Sequence, residues 1–168
     1  MSETSLRVSA AYHQYTLEWA AWDPDAIPFK GGNGLLWNSE GRIVVLTGVD
    51  SGDIPVEFGI DDSEPPLDLG PWEEVVEVSA VITGDAISVF VPDGIHIGDV
   101  ELPASREIYR LRVHARGRDA GYEAEFIDAS GGEHMVEEHL IRIWPAPPSP
   151  ESRLKLTDRV GEVNRAQK

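Results

Sequence analysis

A row of basic side chains within residues 106–119 (REIYRLRVHARGRD) is the first candidate for chemistry. Its members, spaced two residues apart, are Arg110, Arg112, His114, Arg116 and Arg118. Because successive side chains of a β-strand point to opposite faces, this spacing predicts a strand. Leu111, Val113 and Ala115 would enter the core, and the basic residues would lie on the other face. Arginine presents planar donors to carboxylate or phosphate groups, so this face has the residue types of an anion site.

Charge pairing inside a β-sheet is the alternative role for these basic side chains. Four glutamates on predicted strands could lie opposite these basic side chains: Glu73, Glu77, Glu137 and Glu138. Opposite charges on neighbouring strands pair readily, and isolated surface ion pairs reveal little about function. We therefore favour charge pairing over an anion site.

Two histidines with glutamates between them occur in the segment His134–His139 (HMVEEH) and suggest a metal site. A spacing of five turns the two rings by about 140° on a helix, and it places them on opposite faces of a strand. The metalloprotease spacing H-E-x-x-H is absent. We therefore interpret them as surface histidines and keep a metal-dependent hydrolase using His134, Glu138 and His139 as a weaker alternative.

Acidic residues dominate the region before the basic strand. Residues 43–105 contain 14 Asp and Glu and no Lys or Arg, in a chain with a net charge of −16. Such a surface repels phosphates, which argues against nucleic acid as a partner, and it attracts a basic protein. We predict a partner-binding surface that contains Asp50, Asp53, Glu57, Asp61, Asp62, Glu64 and Asp68. The competing explanation is that the acidity serves only solubility.

The same acidic loop could hold calcium, because carboxylates cluster at Asp61-Asp62-Ser63-Glu64 with Asp68 nearby. The D-x-[DN]-x-[DN]-G pattern of calcium loops is missing, so a solvated loop is favoured.

The motif Tyr12-His13-Gln14-Tyr15 could line a ligand pocket, and a plain core strand explains it equally well. Trp22, Trp37 and Trp72 with loop carboxylates could bind a small molecule or sugar.

Several classes of protein are disfavoured by what the sequence lacks. The chain has no cysteine, which excludes disulfides and cysteine zinc sites. Neither a G-x-S-x-G nor a phosphate-loop motif occurs, and nothing indicates a cofactor. There is no signal-peptide pattern and no apolar run of the roughly 20 residues that a membrane span needs. We expect a cytoplasmic protein that does not contact membranes, and its oligomeric state stays open.

Alternating apolar residues between turn signals predict an all-β fold. We predict an antiparallel, jelly-roll-like β-sandwich of about eight strands over residues 1–145, with a proline-rich linker and polar tail over 146–168, docked or frayed. Residues 6–19 form two strands or one bulged near His13, and 34–49 form a hairpin. Residues 92–103 are a connection, 117–121 a turn and 122–127 a short strand. Residues 137–144 are a strand ending at proline.

Two stretches resemble known families. The segment Tyr12–Leu17 (YHQYTL) resembles an N-terminal strand of the ComJ-type family of bacterial competence proteins, which inhibit a DNA-entry nuclease. The stretches Trp72–Glu77, Tyr109–Asp119 and Ile143–Pro147 are similar to a bacterial family with no assigned activity. The first resemblance implies an inhibitor-like or immunity-like protein whose target is a basic nuclease.

We therefore predict a non-enzymatic acidic binding protein that inhibits a basic partner such as a nuclease. The alternative is a β-sandwich module that binds a small molecule or carbohydrate.

Overall fold

The structure is a computed structural model that describes residues 2–26, 31–103, 107–124 and 136–167. Eleven strands occur in these ranges: β1 Ser2–Ala10, β2 Gln14–Glu18, β3 Leu36–Ser39, β4 Arg42–Leu46, β5 Gly52–Ile60, β6 Glu74–Val81, β7 Ala86–Val91, β8 Ile95–Glu101, β9 Ile108–Arg116, β10 Glu138–Pro145 and β11 Ser152–Leu156. The helices are α1 Arg118–Glu123, α2 Arg159–Ala166 and a 3₁₀ turn at Pro24–Ala26.

The strands form two sheets. One has six strands in the order β1-β5-β10-β9-β6-β11, and the other has five in the order β3-β4-β2-β7-β8. Both contribute alternate side chains to one buried hydrophobic cluster. The mostly-β, two-sheet prediction is confirmed. The predicted number of about eight strands and the purely antiparallel pairing are wrong, because the described residues hold eleven strands and β5 pairs with β10 in parallel. No local pattern marks that long-range pairing.

The basic strand predicted from the sequence is β9, and it lies inside the six-stranded sheet between β10 and β6. Its residues Tyr109, Leu111, Val113 and Ala115 are fully buried in the shared core. Pairing on both sides satisfies the ladder of backbone hydrogen bonds along this strand. The opposite face therefore carries its basic side chains to the outside of the sheet.

Residues 6–19 form two strands, which was one of the two predicted alternatives. The chain passes from the six-stranded sheet to the five-stranded sheet through Tyr12 and His13, whose φ angles are 53° and 59°. Such left-handed backbone is uncommon for residues other than glycine. The reversal therefore marks a specially shaped connection.

Two predictions between residues 92 and 127 are wrong. Strand β8 occupies much of the predicted connection, and it pairs with β7 across a turn with positive φ at Asp93 and Gly94. An Asp-Gly pair is a known hairpin signal, so the sequence carried this information. Helix α1 replaces the predicted turn at 117–121 and the start of the predicted strand 122–127, of which residues 125–127 lie outside the described ranges.

The C-terminal segment is docked. Strand β11 adds to the edge of the six-stranded sheet by pairing with β6, and α2 follows it. Asp158 caps α2 by accepting a hydrogen bond from the backbone N–H of Gly161. No helix in the described ranges is long and apolar enough to cross a membrane.

A buried ion pair holds both helices to the sheets. The Arg118 guanidinium donates to both carboxylate oxygens of Asp158, at 2.7 and 2.8 Å, and both side chains are fully buried. Arg118 also donates to the carbonyl oxygens of Gly34 and Leu46, on the segment that leads into β3 and at the end of β4. Removing one partner of a buried pair leaves an uncompensated charge, which costs far more than the net value of the pair.

The Asp158→Asn substitution should lower the free energy of unfolding by about 1.5–3 kcal/mol. It removes the ionised partner of two hydrogen bonds from the buried Arg118 and leaves Glu74, 3.9 Å away, as the remaining carboxylate. Asparagine can still cap the helix. Chemical denaturation measures the loss. The exposed Glu162→Gln on the same helix is the control and should change stability by less than about 1 kcal/mol. A loss for Asp158→Asn no larger than the control would contradict the role of this pair.

Candidate functional site

The basic face of β9 is internally neutralised. Arg110 and Arg112 are almost completely buried and share the carboxylate of Glu77, at 3.0 and 2.7 Å. Arg110 also donates to the carbonyl oxygens of residues 149 and 150, and Arg112 to those of residues 65 and 66. The loop 61–71 and the proline-rich segment therefore cover this face. In this geometry the donors of Arg110 and Arg112 are directed at Glu77 and at backbone carbonyl oxygens.

The next two basic residues of the row are also engaged. His114 Nδ1 lies 2.9 Å from the Leu140 carbonyl oxygen, and its ring packs against Trp72. Burial lowers the pKa of His114 to about 4, so the ring is neutral at physiological pH. Arg116 pairs with Glu138 across the sheet and lies over the Trp72 ring.

The predicted acidic residues fall mainly on the outer side of the six-stranded sheet and its loop. Asp53 and Glu57 alternate with the core residues of β5 and point outwards, whereas Asp61 is buried and takes two hydrogen bonds from Arg142. Three others are exposed in the following loop: Asp62, Glu64 and Asp68. Glu64 lies 3.6 Å from Arg112 but its side chain is 69% exposed. Asp50 is exposed in the turn that leads into β5.

Exposed charge on the described residues is mostly negative. The exposed basic residues in these ranges are Arg7, Arg153 and Arg159, and exposed Asp and Glu residues outnumber them severalfold. Arginines 110, 112 and 118 are buried in ion pairs, and five acidic residues of the described ranges are buried as well: Asp61, Glu74, Glu77, Glu137 and Asp158.

The residues of the metal and sugar hypotheses are separated. Glu138 lies on the outer face of β10 while His139 enters the interior, and His134 lies outside the described residues. No group of three potential metal ligands occurs in the part of the chain that is described. Trp22 stacks on Arg42 of the five-stranded sheet, whereas Trp72 packs on the six-stranded sheet, so these rings line different surfaces.

A cleft of about 550 Å³ lies between the Tyr12–Gln14 turn, the end of β4 and the two helices. Its lining residues are Tyr12, His13, Gln14, Trp37, Leu46, Thr47, Asp119, Tyr122, Glu123, Arg159, Val160, Val163, Asn164 and Gln167. Sequence reasoning singled out the Tyr-His-Gln-Tyr motif as a pocket or a core strand. Both hold in part, since Tyr15 is buried and Tyr12 is 70% exposed at the cleft. The contributions of α1 and α2 were missed because neither helix was predicted there.

The wall of the cleft at His13 is fixed by hydrogen bonds. The His13 backbone N–H donates to the Asp50 carbonyl, and the His13 carbonyl accepts from Thr47. The ring Nδ1 lies 3.0 Å from the Gly48 carbonyl oxygen, and the ring stacks on Tyr122. Strained backbone persists only where its surroundings determine it, and here they do.

A buried polar network supports this wall from below. Glu137 accepts hydrogen bonds from the backbone N–H groups of Gly48 and Val49, and it binds His139, which in turn binds the Tyr15 hydroxyl at 2.8 Å. Burial first, and then the Glu137 carboxylate, raise the pKa of Tyr15, so the phenol stays protonated. A Cβ at Gly48 would lie 1.8 Å from the Arg118 carbonyl oxygen, so only glycine allows α1 this close.

Glu74 adds a second carboxylate to the Arg118 ion pair. It lies 3.1 Å from Arg165 and 3.9 Å from Arg118, and it accepts the Asp158 backbone N–H. Burial and the neighbouring Asp158 charge raise the pKa of Glu74 to about 7. Burial opposes ionisation of Asp158 as well, but the hydrogen bonds and charge of Arg118, together with the hydrogen bonds from the Gly161 N–H and Glu74, lower its pKa. Glu74 therefore loses its proton at a higher pH than Asp158 does.

These features describe an acidic, mostly-β protein that has two sheets and a cleft where the strands meet the helices. Two solved structures share the fold. ComJ from Bacillus subtilis, inhibitor of the DNA degrading activity of NucA, is 16% identical, with a TM-score of 0.53 over 87% of this chain and 96% of that chain. A structure described as crocagin biosynthetic gene J is 14% identical, with a TM-score of 0.56 over 88% and 100%.

No protein-family model matches the chain, and no curated protein matches it in sequence. The resemblance to ComJ suggested by residues 12–17 is confirmed at the level of the fold.

The Glu74→Gln variant should gain stability relative to the wild type as the pH rises from 5 to 8. The folded protein holds the Glu74 proton between pH 4.5, its ordinary pKa, and about 7, so the wild type loses stability as the pH rises through that window. The gain reaches at most about 3 kcal/mol. Denaturation at both pH values measures it, and Glu101→Gln on the surface is the control. A difference independent of pH would contradict the raised pKa.

Proposed function

We propose that this protein is a non-enzymatic acidic binding protein that docks on a basic protein partner, a nuclease, and blocks it. The observation that carries the proposal is the excess of exposed acidic residues. Arg110, Arg112 and Arg118 are buried in ion pairs, and the exposed charge of the described residues is predominantly acidic. Long-range attraction then acts on a basic partner, because opposing surface potentials steer association.

The docking surface is an acidic strip that we define by Asp50, Asp53, Glu57, Asp62 and Glu64. Extended strand rises about 3.3 Å per residue, so β5 carries the strip over about 26 Å between Asp53 and the loop after the strand. That length matches a protein interface rather than a small-molecule pocket. Asp61 is left out because Arg142 already neutralises it.

A nuclease is a suitable partner because it must present positive charge to the phosphates of DNA. An acidic surface placed against that charge competes directly with DNA. The fold shared with ComJ, which is an inhibitor of the DNA degrading activity of NucA, also supports a nuclease as the partner.

Neutralising three residues of the acidic strip should slow association with the partner. In a DNA-degradation assay with a panel of basic nucleases that includes NucA, we expect inhibition of at least one enzyme and an association rate that falls steeply with salt. The variant Asp53→Asn, Glu57→Gln, Asp62→Asn should reduce that rate by about tenfold.

The matched control removes the same charge from the other sheet and its turns, with Asp85→Asn, Asp93→Asn and Glu101→Gln. It should leave the association rate within about twofold of the wild type, because charges far from the contact are screened. An association rate that does not change with salt concentration, or an equal effect of both triple variants on that rate, would contradict the acidic strip as the docking surface. Failure to inhibit any basic nuclease would contradict the nuclease as partner.

A further inference from the structure

We infer that the cleft beside His13 accepts one basic side chain, an arginine or a lysine, from the partner. The inference rests on the proposed function for the identity of the protein that supplies that side chain. The preference for a basic side chain follows from the residues in and beside the cleft. The residues that carry it are Tyr12, His13, Asp50, Tyr122 and Glu123.

Exposed aromatic and apolar side chains are concentrated at this opening. Tyr12 is 70% exposed, Tyr122 is 63% exposed and Val163 is 53% exposed, and all three line the same cleft. Scattered exposed apolar residues are ordinary on a soluble protein, whereas a cluster marks a contact surface. Tyrosine is enriched at the centres of protein interfaces, and its ring face attracts a cation.

The polar groups at the same wall are arranged to accept hydrogen bonds. A carbonyl oxygen only accepts, so the contact of His13 Nδ1 with the Gly48 carbonyl places the ring proton on Nδ1. The other ring nitrogen, Nε2, lies 3.6 Å from the Asp50 carboxylate oxygen. A carboxylate accepts hydrogen bonds, so a positively charged donor placed beside Asp50 forms a charge-assisted hydrogen bond with it.

The net charge around the cleft favours a cation. Asp119 accepts hydrogen bonds from the backbone N–H groups of Arg159 and Val160, so its carboxylate is occupied in capping α2. Glu123 lines the cleft, and Asp50 lies beside the lining residue His13. Both carboxylates are exposed, against one exposed arginine, Arg159, among the described lining residues. An acidic side chain of a partner would meet two carboxylates there, and a basic one would be attracted.

The cleft is continuous with the acidic strip and is preorganised. Asp50 belongs to the strip and also faces His13, so a partner docked along β5 reaches the cleft at one end. The backbone hydrogen bonds of His13 and the Glu137 bonds to residues 48 and 49 hold the wall in place. A rigid receptor orders less on binding, so more of the interaction energy appears as affinity.

The test is an NMR titration of the protein with N-acetyl-arginine amide, compared with N-acetyl-citrulline amide, which has a similar shape and no charge. We expect backbone amide shifts at His13 and Tyr122, and citrulline should bind at least about fivefold more weakly, as expected for loss of a cation. Tyr122→Ala and Asp50→Asn should each weaken arginine binding to a similar extent. Both positions are exposed, and a thermal unfolding curve verifies that each variant is folded.

Matched variants away from the cleft are Ile95→Ala, which removes an exposed apolar side chain, and Asp93→Asn, which removes an exposed charge; both should leave arginine binding unchanged. Equal binding of citrulline, shifts that map to the loop after β5, or no saturable shift would overturn the inference. Arginine binding in the cleft without inhibition of any nuclease would contradict the proposed nuclease inhibition but not the cleft inference. Nuclease inhibition that is unaffected by Tyr122→Ala would contradict the inference that the cleft binds a basic side chain of the partner, but not the proposed function.

Discussion

Burial of arginine beside carboxylate is the constraint on which the rest of the structure depends. A guanidinium cannot lose its proton at physiological pH, so an arginine inside a protein must meet an acid and have its remaining donors satisfied. Arg118 meets Asp158 and two backbone carbonyls, and Arg110 and Arg112 meet Glu77 and the carbonyls of two covering segments. These contacts join parts of the chain that are distant in sequence and hold α1, α2 and the proline-rich segments on the sheets.

The surface charge has a different origin. Each buried arginine is neutralised by a buried carboxylate, so these pairs leave the net charge of the surface unchanged, and the exposed carboxylates of the described residues outnumber their exposed arginines severalfold. The buried pairs stabilise the fold, and the exposed carboxylates produce the electrostatic field that we propose steers a partner. In such a protein a substitution at Glu77 or Asp158 affects folding first, whereas one at Glu57 or Asp62 affects only the field.

The turn at Tyr12 and His13 connects this framework to the cleft. It carries the chain from one sheet to the other, and its left-handed backbone aims the Tyr12 ring outwards while Tyr15 enters the core. The buried line from Glu137 through His139 to Tyr15 fixes the floor beneath it. A rigid surface of this kind favours the binding that we propose, because a surface that must order itself on binding loses affinity.

The sequence alone determined the β class, the basic strand β9, the hairpin of β3 and β4, the strand β10 and the acidic run before β9, because period-two alternation and local charge are properties of neighbouring residues. It also contains the Asp93-Gly94 pair, a hairpin signal for the turn that leads into β8. Only the tertiary structure decided that β5 pairs in parallel with β10, that Asp61 is neutralised by Arg142 and that Arg118 begins a helix. Those outcomes depend on residues more than 35 positions apart in the chain, and no local pattern encodes which distant partner satisfies a buried charge or an unpaired strand.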